Sequence, residues 1–257
     1  TGPQGIPQTG TTIFKAADPL VPIDDSVEPT FDDGSKEKTI PGQGTYTITP
    51  DGVVTFTPEK QFVGKPDPIT VKRVDKNGTP VTATYSPEFT KVTPTGKDTS
   101  SVNIKGLVQT GTPTFEGGNP LVPINETVAA TFEDGTTEKK VPGEGTYTID
   151  ENGKVTFTPE PNFVGTATPV EVVRKDKNGK TIKASYTPTV RPDTVFVDKN
   201  GKELIPSKDG KNSSETIPGY KLVKTETDEK GNTKHIYEPV TTKHVDRKGN
   251  PIPGTTT

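Results

Sequence analysis

The chain has 257 residues, of which 26% are apolar, with 26 glycines, 27 prolines and a net charge of −3 from 31 basic and 34 acidic side chains. The absence of cysteine excludes disulfides, thiolate nucleophiles and cysteine-type zinc sites. The interspersed charge offers no concentrated basic footprint for nucleic acid, and no apolar run approaches the ~18 residues of a membrane-spanning helix.

Composition alone would permit disorder, but the few Phe, Tyr, Val and Ile residues fall at strand spacing. Residues 1–10 (TGPQGIPQTG) read as a linker. Short strands are then expected near 12–15, 20–23, 27–31, 36–40, 44–49 and 53–57, with a final long pair at 68–75 and 79–87. Turn signals every 8–12 residues fit a β-sandwich, and no stretch carries a helical period. The clearest element is the hairpin within 41–64. Tyr46 and Ile48 alternate with threonines, as do Val54 and Phe56, and Asp51-Gly52 between them suits a tight turn. Tyr46 and Tyr85 look inward, and Pro58 ends the ladder because proline has no N–H to give.

From there the chain repeats at an offset of 101 without insertions, and 45 of the 86 positions in 5–90 recur identically. Gln8-Thr9-Gly10 matches Gln109-Thr110-Gly111, Pro19 to Ile23 matches Pro120 to Ile124, Tyr46 matches Tyr147, and Asp75 to Gly78 matches Asp176 to Gly179. A period of that length is the size of a whole domain. Residues 91–105 read as a linker between the copies. Beyond 193 the character changes. VFVDKNGKELIP (195–206) is a strand, a turn and a strand, 217–240 is a second hairpin, and Val245 to Gly249 echoes Val197 to Gly201. The expected fold is therefore all-β: tandem antiparallel Ig-like sandwiches at 1–94 and 95–192 in an extended array, and a small antiparallel unit at 193–242. Residues 243–257 would be the frayed opening of a further repeat. With no initiator Met and Thr/Gly/Pro-rich ends, the chain reads as a piece of a longer protein.

No motif supports catalysis, and no catalytic residue, cofactor or metal is expected. His235 and His244 lie nine apart on separate predicted strands and read as surface residues. Asp75, Asp176, Asp198, Asp228 and Asp246 each precede a glycine by three, which invites calcium. Too few acidic ligands accompany them, and an Asx-stabilised turn explains the spacing. A Lys–Asn isopeptide cross-link could draw on Lys38/Lys139, Asn77/Asn178 and Glu59/Glu160. Those asparagines, however, already serve Asn-Gly turns.

The blocks QTG-x(3)-F with PLVPI, PG-x-GTYTI and VTFTPE-x(2)-FVG occur twice in order, and over about 1–190 they resemble the CshA-type fibril repeat. The unit from Val195 to Val240 is similar to mucin-binding-protein (MucBP-like) repeats. These resemblances imply an extracellular, wall-attached parent whose repeats hold an adhesive tip away from the cell. Charge and hydropathy lead us to expect no nucleic-acid contact and no membrane contact by this segment, and the chain is expected to be a monomer with scope for lateral self-association. The alternative is a repeat that itself binds a host matrix or salivary glycoprotein or a glycan, of fibronectin or mucin type. Binding surfaces favour Tyr, and Tyr220 and Tyr237 are the candidates for such contact.

Overall fold

The computed structural model describes residues 1–241, 245–250 and 252, and none of them is helical. Contacts divide the chain into two compact units. One holds 1–97, 114–128 and 173–183; the other holds 98–113, 129–172 and 184–257.

In the first unit, strands Gly44–Ile48 and Val53–Pro58 form the expected hairpin, with Tyr46 opposite Phe56 and Ile48 opposite Val54. Gln8–Thr11 joins one side and Glu37–Ile40 the other, giving a four-stranded antiparallel sheet. A second sheet, Thr30–Phe31, Ile69–Val74 and Pro80–Tyr85, faces it. Because side chains alternate along a strand, each sheet turns one apolar face inward. Phe31, Ile69 and Val71 from one sheet meet Tyr46, Ile48, Val54 and Phe56 from the other, with Phe89 between. Ring pairs at 4.5 Å (Tyr46–Phe56) and 5.5 Å (Phe56–Phe89) fill this sandwich. The Tyr46 hydroxyl donates to the Asp67 carbonyl at 2.8 Å, and burial lifts its pKa above the usual phenol range.

Two expectations about the start of the chain are corrected. Residues 1–10 are part of the fold: Gly2–Pro3 pairs in parallel with Phe89–Thr90, and the edge strand begins at Gln8 instead of residue 12. A two-residue pairing across 87 positions leaves no local pattern to read. Residues 20–23 form no strand; isolated bridges Asp18–Val21 and Ile23–Asp75 hold that loop. Gly10 is required where it stands, since a Cβ there would lie 2.3 Å from the Tyr85 ring. The same unit contains strand Thr95–Lys97 paired with Thr114–Glu116.

In the second unit, Gln109–Gly111, Val155–Pro159, Gly145–Ile149 and Glu138–Val141 reproduce the four-stranded sheet in the same order. Tyr147 again donates to a carbonyl 21 residues on, that of Thr168, at 2.6 Å. Thr99–Ile104 runs parallel to Thr181–Arg191, with Thr99 opposite Tyr186 and Ile104 opposite Arg191. Much of the expected linker is therefore strand. Gln109 ties this strand down, accepting from Ser101 and donating to the Thr189 carbonyl.

The C-terminal sheet has the order Glu203–Asp209, Asp193–Asp198, Thr233–Pro239, Tyr220–Thr227. Its outer pairings are the two predicted hairpins. Its central pair, Asp193–Asp198 with Thr233–Pro239, is parallel, so the sheet is mixed where an antiparallel one was expected. The crossing segment over 210–219 makes this possible, and its Ile217 covers Phe196 and Tyr237. Within the expected terminal fragment, the Asp246 N–H donates to the Asn250 carbonyl and closes the turn.

Candidate functional site

The recurrent Asp-x-x-Gly segments are Asx turns. Asp75 Oδ1 accepts the N–H groups of Asn77 and Thr79 at 2.9 and 2.8 Å. Asp198, Asp228 and Asp246 repeat the arrangement. Asn232 and the local N–H groups hold the Asp228 carboxyl below the usual range, with Lys105 adding a smaller electrostatic pull. Among the described residues, no group of three His, Cys, Asp or Glu side chains could hold a metal ion.

Two of these turns do more than reverse the chain. In the first unit, Asp176 to Lys180 lies against Gln4, Lys60, Gln61 and Val92 around a cavity of about 420 Å³. Asn178 Nδ2 donates to the Gln4 carbonyl at 3.2 Å. The Gln4 side chain is itself held, donating to the Lys60 carbonyl and accepting from the Val92 N–H. Asp176 is 1% exposed, one oxygen accepting from the Lys180 N–H and the other without a partner. In the second unit, the turn at Asp228 lies beside Asn162, whose carbonyl accepts from Lys230 Nζ at 3.3 Å. Lys105 and Asp193 pair at 3.3 Å next to it, and Asn232 accepts from the Asp193 N–H. That crevice, about 220 Å³, is also lined by Glu226 and by Thr233, whose buried hydroxyl has no partner.

The sequence-predicted residues are scattered. Tyr237 is 1% exposed, its hydroxyl accepting from the Glu215 N–H and donating to the Glu215 carbonyl, so it is a core residue with no surface to present. Tyr220 is half-buried against the same cluster. His235, expected on the surface, is 3% exposed and stacks on Phe196 at 5.3 Å. Its Nε2 faces the Asn212 carbonyl and therefore donates, leaving Nδ1 to accept from the Thr225 hydroxyl. His244 lies outside the described residues. Lys38 is a surface side chain 3.9 Å from Asp33, a poor setting for a cross-link that needs a buried amine.

Another cavity, about 670 Å³, lies in the first unit along the second copy of the PLVPI loop, between Phe115, Pro120, Pro123 and Ile124. In the sequence this block is a repeated signature and an expected strand, and nothing in it marks the leucine as solvent-facing. Leu20 and its duplicate Leu121 are in fact 89% and 62% exposed.

Residues 1–89 and 91–190 each match the family described as the surface adhesin CshA repetitive domain. Residues 193–238 match the SSSPR-51 domain, a different family from the MucBP repeat they resembled. A muramidase-released protein of Streptococcus suis is 33% identical over 184 residues, covering 64% of this chain. The chain spans 14% of that relative's length. The solution structure of repeat domain 13 of the fibrillar adhesin CshA from Streptococcus gordonii is 90% identical, covering 28% of this chain and 94% of that one, with a TM-score of 0.17. Drosophila N-cadherin EC1-3 is 12% identical, covering 91% of this chain and 82% of that one, with a TM-score of 0.30. With two family matches that together span most of its residues, the chain belongs to the surface adhesin CshA repetitive domain family.

Proposed function

We propose that the chain is a run of spacer modules in a streptococcal surface adhesin, divided as 1–94, 95–192 and 193–242, with 243–257 opening a further repeat. The parent is extracellular and wall-attached, and these modules act by reach without chemistry. The observation that supports this reading is where the repeated signature residues go. Gln8 and Gln109 donate to the carbonyls of Glu88 and Thr189, Tyr46 and Tyr147 bond carbonyls, and Phe56 and Phe157 are wholly buried. What the two copies share is mostly what each needs to fold, as suits a module whose task is length. An elongated domain of this size adds about 4 nm. Excising one 101-residue period from the parent should shorten its contour length by that step in single-molecule stretching, with tip binding unchanged. Loss of tip binding would refute the reading.

A second reading is favoured by the exposed Leu20 and Leu121, since duplicated apolar side chains in solvent suit a contact surface. Here a module would bind a host glycoprotein, with Tyr220 as a further contact. Saturable binding of this chain to immobilised fibronectin or mucin, abolished by Leu20→Ser with Leu121→Ser or by Tyr220→Ala in folded protein, would replace the spacer reading.

A further inference from the structure

Two turns with one sequence, Asp75-Lys76-Asn77-Gly78 and Asp176-Lys177-Asn178-Gly179, have different surroundings. Asn77 is exposed and Asp75 half-exposed, whereas Asn178 is half-buried and Asp176 buried. Local sequence cannot account for this, because both turns close on the same backbone bonds, Gly78 N–H to Asp75 C=O and Gly179 N–H to Asp176 C=O, each at 2.9 Å. What differs is the seat: Asn178 rests on the Gln4 carbonyl, and Gly5 beneath it has no side chain. A Cβ on Gly5 would lie 2.0 Å from Asn178 Oδ1.

The seat itself recurs. At the repeat offset, Gln4 corresponds to Lys105 and Gln61 to Asn162. These are the residues beside the Asp228 turn in the second unit. That turn belongs to a module of another family, yet it meets the same place on a CshA repeat and forms the Lys230–Asn162 bond there. Two modules with different sequences thus use the same kind of turn on the same kind of surface.

We propose that the Asp-x-x-Gly turn is a docking plug that seats each module on the one before it. The exposed Asp75–Gly78 turn would accordingly receive a CshA-type repeat lying ahead of the first, through that repeat's counterparts of Gln4, Gly5 and Val92. The proposal holds whether the modules serve as spacers or as ligand binders.

The duplicated turn supplies its own control, since Asn77→Ala and Asn178→Ala disturb the turn alike and only the second disturbs a seat. Hydrogen exchange of the Val92 amide, held by Gln4, should speed about fivefold in Asn178→Ala of the whole chain, the effect of one lost hydrogen bond. Asn77→Ala should leave it unchanged. In a chain lengthened by one more copy of residues 1–101 ahead of Thr1, Asn77→Ala should speed the Val92 amide of the added copy by the same factor. Equal effects of the two variants in the natural chain, or none from either, would overturn the proposal. So would a silent Asn77→Ala in the lengthened chain.

Discussion

The cores of the first repeat and of the C-terminal sheet are built differently. The repeat closes over eight buried apolar residues, four of them aromatic, with Phe14, Ile40, Phe62 and Tyr85 packed around them. Among the described residues, the core cluster of the C-terminal sheet holds three, Phe196, Ile217 and Tyr237, with Leu204, Ile205 and Tyr220 partly buried against it. Its interior is completed by polar groups that bond one another: Thr194 with Gly210 and Asn212, His235 with Thr225 and Asn212, and Tyr237 with Glu215. A sheet of four strands offers little apolar area. Its uniqueness therefore rests on satisfied hydrogen bonds, which fail as a set when one partner is removed.

That contrast can be broken most forcefully in the repeat. Phe56→Ala removes the ring at the centre of contacts with Tyr46, Phe62 and Phe89. It should cost about 3–5 kcal/mol, visible as a lowered denaturant midpoint, while the C-terminal sheet keeps its amide protection. In the C-terminal sheet the sensitive residue is polar. Thr194→Val keeps the shape but strands the part-buried Asn212 N–H and removes one of the two bonds to the Gly210 carbonyl, leaving that from Asn212 Nδ2. It should cost about 2 kcal/mol, read from exchange of amides in 193–198 and 233–239. If Thr194→Val proves harmless, the C-terminal core is apolar in character after all.

A milder variant sharpens the same point. Tyr46→Phe removes only the bond to the Asp67 carbonyl and should cost about 1 kcal/mol, because the ring still fills the core. The smallest effect separates the two repeats by pH. Asp24 accepts from the Ser26 hydroxyl and N–H and from Lys76, which bring its pKa down to about 2 from an unfolded value of 3.8. The depressed value means that its contribution is present above about pH 4 and lost as pH falls toward 2. The copy has Asn125 in that place, making the same bonds to Thr127 without a proton to gain. Asp24→Asn should accordingly flatten the acid slope of the first repeat's stability, measured between pH 4.5 and 2, and leave the second repeat untouched.

The core of the repeats was legible early because period-2 alternation marks which face of a strand is apolar, whatever that face later meets. Tyr46, Phe56, Val71 and their duplicates could be placed inward on that ground. Tyr237 and His235 were misplaced for a related reason: the hairpin pattern locates a strand without saying what covers it, and the cover is Asn212 to Ile217, a segment with no periodicity. The candidate site was the least legible part. The Asx turns could be predicted from Asp and Gly spacing, but the seat beneath two of them could not.

Local pattern settled that this chain is all strand, that it is written twice, and where its turns fall, because each of these follows from the alternation of a few neighbouring side chains. Folding alone decided that Thr99–Ile104 would run beside Tyr186–Arg191, that the C-terminal centre would be parallel, and that Asn178 would find a carbonyl which Asn77 lacks. Those outcomes join groups 39 to 174 residues apart, and no short stretch of sequence carries a record of its distant partner.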